Sequence, residues 1–240
     1  MSAPRHSLPR RLYDAAISAD PESPRVLDFL QRGLALAGGG SVLDVGCGYG
    51  RYLRLLGARG VAVTGMDAGE EIVAANRAAG FACCSPAEFF AGGERVQAIL
   101  MSHVIEHLAP ADLFAFLDRL LDRLDDGGCL VIATPLESPH FWDDFDHVKP
   151  YHADGLLMVY GSGAQQVQYR SRHRLELVDI AFPRTPWRVT HARARYLRSP
   201  ATRLVQLANL LSALAWRASG GLLGRRTRWI GLFRKSTARA

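Results

Sequence analysis

Two groups of residues in this sequence are of the right type and spacing for chemistry. The first is a G-x-G-x-G run, Gly46, Gly48 and Gly50, which follows a short apolar stretch at residues 41–45; Asp67 closes a second such stretch at 61–66. Glycines let the backbone turn sharply and approach a ligand closely, and an acid at the end of the next strand can accept hydrogen bonds from ribose hydroxyls. The dinucleotide fingerprint G-x-G-x-x-G needs glycine at position 51, where Arg51 stands, and this argues against NAD or FAD. Asp44, just before the loop, can hold the loop or a ligand's ammonium. In this order the parts point to a nucleoside-type cofactor site.

The second group is Ser102-His103-Val104-Ile105-Glu106-His107, which follows an apolar stretch at 96–101. In an open α/β sheet, ligands bind beyond the carboxyl ends of the strands, so His103 falls where a reaction would occur. His103 and His107 stand at i and i+4, with Glu106 beside them, and His140, Asp143, Asp144, Asp146, His147 and His152 come later. Such residues suit a metal site or an acid–base pair. Imidazole titrates near pH 6.5, which fits a general base. H-x-x-E-H is also an inverzincin pattern, but that motif belongs on a long helix and this one follows a strand. Residues 139–151 are too polar for core and too aromatic for a plain linker; they read as a loop over the substrate, with Phe141 and Trp142 either packing or covering it.

The elements that must position these residues alternate. Strands are expected at 41–45, 61–66, 81–84, 96–101 and 129–133, and helices at 50–58, 70–79 and 109–124. Asp125-Asp126-Gly127-Gly128 reads as a turn. Two short helices are expected within 8–37, broken at residues 20–24, the second with Val26, Phe29, Leu30 and Leu34 on one face. Later come a helix at 154–160, a strand at 175–182, a helix at 204–216 and a last strand at 228–233. Strands alternating with helices imply parallel pairing with right-handed crossovers, a doubly wound α/β sheet.

Val42-Leu43-Asp44-Val45-Gly46-Cys47-Gly48-Tyr49-Gly50 resembles motif I of the class I S-adenosylmethionine-dependent methyltransferases, and Asp67 matches the acid that binds the cofactor's ribose. The resemblance continues through residues 124–132, similar to that family's turn into strand five. It implies a Rossmann-like, seven-stranded sheet in a single domain, 1–240. Helices at 1–38 precede a cofactor-binding core at 39–135, and 136–240 holds the substrate-side loop, a helical insertion and the last strand. It implies S-adenosylmethionine as cofactor, held at Asp44, Gly46, Gly48, Gly50 and Asp67, with adenine against 85–88 and Ala87 among the binding residues. Methyl transfer needs an acceptor oxygen in line and a base for its proton, so His103, His107 and His147 are the catalytic candidates. In the similar ubiquinone-biosynthesis O-methyltransferases, acids and a histidine after strand four are implicated with a divalent cation. This chain matches at Glu106 and His107, which leaves a divalent metal open and its ligands unassigned.

Charge divides the chain. The formal net charge is +6, yet residues 1–183 hold 16 Lys and Arg against 23 Asp and Glu, while 184–240 hold 13 Lys and Arg and no acid. An acidic body with a basic end suits a protein that meets an anionic surface. Leu204, Leu207, Leu211 and Leu214 repeat at helical spacing there, so 199–226 reads as a helix lying on an anionic membrane or packing on the body or a homodimer partner. Nucleic acid is disfavoured because no binding module accompanies the charge. The expected acceptor is a small molecule or a lipid-linked one: a lipid-linked saccharide or a quinone or lipid intermediate. The alternatives are a soluble small molecule, tRNA, or a non-catalytic scaffold. No charge-free apolar run is long enough to span a bilayer, residues 1–11 lack a leader's apolar region, and four cysteines show no disulfide framework. The protein is therefore expected in the cytoplasm, or peripherally on the inner face of the membrane.

Overall fold

A computed structural model of the chain describes residues 20–162, 168–191, 196–197 and 200–236; the first helix expected within 8–37 lies outside them. The chain divides into two compact units, residues 22–181 with 228–240, and residues 1–21 with 182–227.

The first unit is built on a seven-stranded sheet. Its strands are β1 (Val42–Val45), β2 (Val63–Met66), β3 (Cys83–Cys84), β4 (Val96–Ser102), β5 (Leu124–Pro135), β6 (Arg174–Ala181) and, from the end of the chain, β9 (Arg228–Ser236). The order is β3-β2-β1-β4-β5-β9-β6, with β9 antiparallel to both neighbours and the pairs from β3 to β5 parallel. This is the Rossmann-like, doubly wound α/β sheet that the alternation of elements led us to expect. The central strands are apolar on both faces because both are covered. Along them, alternate residues go to opposite sides: Val42, Ala98, Leu100, Val131 and Leu232 to one cluster, Leu43, Ile99, Met101, Leu130 and Phe233 to the other.

Helix α1 (Ser23–Leu36) supplies the first cover. Val26, Phe29, Leu30 and Gly33 recur at i, i+3, i+4 and i+7 and are buried. Gly33 is needed there: a Cβ would stand 2.2 Å from Cys129 Sγ. Helices α2 (Arg51–Gly57), α3 (Glu70–Ala78) and α4 (Pro86–Ala91) follow β1, β2 and β3. Helix α5 (Pro110–Arg123) buries Leu113, Leu117, Leu120 and Leu121 in the second cluster, and α6 (Ala153–Tyr160) adds Leu156 and Tyr160.

Two elements differ from expectation. The turn expected at 125–128 falls within the span of β5 as a bulge: Leu124 pairs with Val96 and Cys129 with Ala98, and residues 125–128 loop out between those pairs. Gly127, at φ +80°, takes up the irregularity. Helix α4 has no counterpart in the sequence reading; Ser85 caps it, accepting from the Glu88 N–H, while Glu88 reaches back to the Ser85 N–H.

The second unit contains the two-residue strands β7 (Arg184–Thr185) and β8 (Arg225–Arg226), which pair antiparallel, and helix α7 (Pro200–Ala218) between them in sequence. In the chain this unit stands where an insertion before the last strand was expected. No helix among the described residues is long and apolar enough to cross a membrane.

Candidate active site

The strand order reverses between β1 and β4, which both leave their carboxyl ends at the same edge; such switch points are where open α/β sheets bind ligands. Val45 pairs with Met101, so the glycine loop and the His103 segment start side by side.

The loop is anchored from several directions. Gly46 and Cys47 donate to the Met66 carbonyl (2.7 and 3.2 Å). Asp67 Oδ2 accepts from the Gly48 N–H (3.0 Å), and Oδ1 accepts from the Gly69 N–H (2.9 Å). Asn76, buried in α3, donates to the Gly48 carbonyl (2.7 Å). Gly46 stands at φ +65° with Val104 packed where a side chain would be. Gly48, at φ +49°, is different: a Cβ there would find no atom within 4 Å. The backbone is thus held in a left-handed bend with open space over it, a cradle for a bulky ligand.

Asp44, in β1 two residues before Gly46, is 1% exposed, and its Oδ2 has no hydrogen-bond partner. Burial, with the charge of Asp67 added, pushes its carboxyl up to about 7. A buried carboxylate oxygen without a donor is costly and marks a place where a cationic or donor group belongs. Ala87 is exposed in the first turn of α4, after β3.

His103 heads the second cluster. It is a non-glycine residue at φ +58°, a conformation kept only where the surroundings enforce it. Its Nε2 bonds Glu22 Oε2 (2.9 Å) and its Nδ1 bonds Glu106 Oε1 (3.1 Å). Both carboxylates are buried. Burial pulls the imidazole pKa down, but the hydrogen bonds and charges of Glu106 and Glu22 outweigh it and raise the value to about 9. His103 therefore carries its proton at neutral pH with both N–H groups engaged. Glu22 also accepts from Ser102 (2.9 Å) and Tyr52 (3.2 Å) and pairs with Arg228. Burial raises the Glu22 pKa, and His103 and Arg228 more than reverse this, holding it well below the usual carboxylate range.

A pH dependence follows from this cluster. The folded pKa of His103 lies above its ordinary 6.5, so its contribution to stability is whole below pH 6.5 and is lost as pH rises through about 9. The ring is 41% exposed, so solvent screening reduces the effect to about 1–2 kcal/mol. Chemical denaturation at pH 6 and pH 9.5 is expected to show that loss, and His103→Gln to remove most of the pH slope; an unchanged slope in the variant would assign it to other groups.

His107 and His147 are arranged differently. His107 Nδ1 bonds the Asp146 carbonyl (3.2 Å), and His147 Nδ1 bonds the Phe141 carbonyl (2.7 Å). A carbonyl only accepts, so each Nδ1 donates, and Nε2 is the atom each ring has left for a ligand or a proton; His147 Nε2 lies 3.8 Å from Asp144 Oδ2. The two rings are 4.9 Å apart. His147 is 12% exposed and stacks on Phe141 at 4.4 Å. One ligand atom from each of Glu106, His107 and His147 falls within a 4.8 Å span, a donor set that suits a divalent cation. Both Glu106 oxygens already accept hydrogen bonds, from His103 and the Thr134 hydroxyl (2.9 Å).

Of the remaining candidates, His140 pairs with Asp143 (3.0 Å) on the 139–151 loop, and His152 precedes α6. Phe141 is buried, while Trp142 and Phe145 are exposed, the latter fully. Sequence reasoning did not single out Glu22, Asn76 or Thr134, which hold the machinery without belonging to a motif.

A sequence family described as a methyltransferase domain matches residues 10–204. No curated protein matches the sequence. Among solved structures, the chain is similar to a SAM-dependent methyltransferase from Archaeoglobus fulgidus, with 19% identity, 94% of this chain and 99% of that chain covered, and a TM-score of 0.53. It is similar to the N-methyltransferase NodS from Bradyrhizobium japonicum WM9, with 15% identity, 90% and 97% covered, and a TM-score of 0.53. The plantazolicin methyltransferase BpumL, solved in complex with a triazolic desmethylPZN analog and SAH, gives 14% identity, 95% and 90% covered, and a TM-score of 0.55. At these identities the likeness is one of fold.

Proposed function

The chain belongs to the methyltransferase-domain family, and on that premise we propose that it uses S-adenosylmethionine to methylate an oxygen of an amphiphilic acceptor, such as a lipid-linked saccharide or a quinone-type lipid intermediate, met at the inner face of a membrane. The observation that carries the cofactor assignment is the unpartnered, buried Asp44 oxygen near the end of β1, in the strand that leads into the loop where Gly48 has open space. S-adenosylmethionine supplies a sulfonium methyl already activated for transfer, and a cationic ligand over Asp44 would restore the charged carboxylate that burial disfavours. Asp67 keeps lone pairs for ribose hydroxyls beyond the two it gives to Gly48 and Gly69. Gly46, Gly48 and Gly50 let the backbone approach, and Ala87 offers a small surface to adenine.

The chain's part in the reaction is positioning and one proton. His147, with Nδ1–H fixed on the Phe141 carbonyl, presents Nε2 to take the acceptor's hydroxyl proton. His107 is the neighbouring second acceptor for that proton. His103 locks Glu106 at the end of β4. The exposed Trp142 and Phe145 give the loop an apolar surface suited to an amphiphile.

The test is transfer of labelled methyl from S-adenosylmethionine into fractionated extracts. Label in the lipid-soluble fraction is expected. Label confined to water-soluble metabolites or to tRNA would overturn the acceptor class, and no transfer to any fraction by protein that binds the cofactor would favour a scaffold.

A further inference from the structure

Helix α7 packs the wrong side for an ordinary amphipathic helix. Within residues 182–227, the side turned inward carries Asn209, Ala213 and Trp216. Ala213 is fully buried, and Asn209 brackets Val189, accepting from its N–H (2.7 Å) and donating to its carbonyl (3.2 Å). The Trp216 indole donates to the Arg184 carbonyl (3.1 Å). The leucines face outward: Leu204, Leu207, Leu211 and Leu214 are 70%, 52%, 57% and 49% exposed. At about 100° per residue, this row lies roughly opposite the Asn209, Ala213 and Trp216 row. The turn after the helix adds Leu222 and Leu223, 72% and 61% exposed. Single exposed leucines need no explanation, but a continuous row marks a surface that meets something.

Charge selects the partner. Residues 182–227 hold nine arginines and no aspartate, glutamate or lysine. A second copy docked here would bring together two segments that each hold nine arginines and no acid, which opposes a symmetric dimer. Nucleic acid would answer the arginines and leave the leucines in water. An anionic bilayer answers both, with acyl chains for the leucines and a phosphate layer for the guanidinium groups. The helix is 19 residues long and is not apolar enough to cross, so it would lie in the plane of the interface.

We infer that the leucine row of α7 seats this protein on an anionic lipid surface. The inference rests on the reading of an amphiphilic acceptor and names the surface on which that acceptor is met. The test is co-sedimentation of the full chain with vesicles of mixed phosphatidylglycerol and phosphatidylcholine, and with vesicles of phosphatidylcholine alone. Binding to the anionic vesicles only, weakened by salt, is expected. The double variant Leu207→Glu, Leu211→Glu is expected to bind at least about tenfold more weakly, with its S-adenosylmethionine titration unchanged; that titration also shows the variant is folded and judges the cofactor reading separately. Absence of wild-type binding to anionic vesicles would overturn the inference, as would equal binding by the double variant. A wild-type dimer that the same substitutions disperse, without vesicle binding, would assign the face to self-association instead.

Discussion

A His147→Ala enzyme is expected to bind S-adenosylmethionine as the parent does and to transfer methyl about 100- to 10,000-fold more slowly, the range over which a positioned general base contributes. Several observations single out this histidine. Its Nδ1 donates to the Phe141 carbonyl at 2.7 Å, which leaves Nε2 as the ring atom that can meet the acceptor. Its ring is nearly buried against Phe141, so orientation costs little at the moment of reaction. His103 cannot substitute, because both its nitrogens already donate to buried carboxylates. The measurement is single-turnover transfer of labelled methyl into the lipid fraction, with added imidazole to rescue the variant. A His147→Ala protein at parental rate would move the base to His107 or to the acceptor itself.

Asp67→Ala is expected to weaken S-adenosylmethionine binding by about a hundredfold. Each carboxylate oxygen accepts one backbone N–H, from Gly48 and Gly69, and hydrogen bonds to a charged group contribute about 1.5–3 kcal/mol each. Removing both frees the loop in which Gly48 is bent to φ +49°, and also deletes the acceptor proposed for the ribose. A net loss of about 3 kcal/mol corresponds to a hundredfold change in affinity. Asp67→Asn, which keeps one acceptor oxygen, is expected to fall between. Equal affinity of parent and Asp67→Ala in calorimetric titration would place the ligand elsewhere.

The sheet was legible because its signals are local and agree with one another. Short β-rich runs alternate with 3.6-residue periodicity, and the glycine loop falls directly after the first run. Asp125-Asp126-Gly127-Gly128 carries turn-forming residues and does leave the pairing with β4, but as a bulge inside β5 between Leu124 and Cys129 rather than as a turn before the strand. The support of the site was not legible. Glu22 sits in a stretch that reads only as a helix breaker, and its partners His103 and Arg228 are 81 and 206 residues away. Asn76 is one polar residue in an ordinary helix until the fold sets it under the Gly48 carbonyl. His103 was placed correctly by its position after β4, but its protonation depends on two carboxylates that no spacing reveals. In α7 the leucine period predicts a helix with one apolar face; whether that face turns inward or outward is settled only by packing.

The loop between β1 and α2, with Asp44 and Asp67, is proposed as the binding site for S-adenosylmethionine. Isothermal titration of the full chain with S-adenosylmethionine tests it most directly. One site per chain is expected, with a dissociation constant of about 1–100 µM, in the usual range for enzyme substrates. A folded protein, verified by circular dichroism, that gives no binding heat and no shift in melting temperature with the ligand would contradict it.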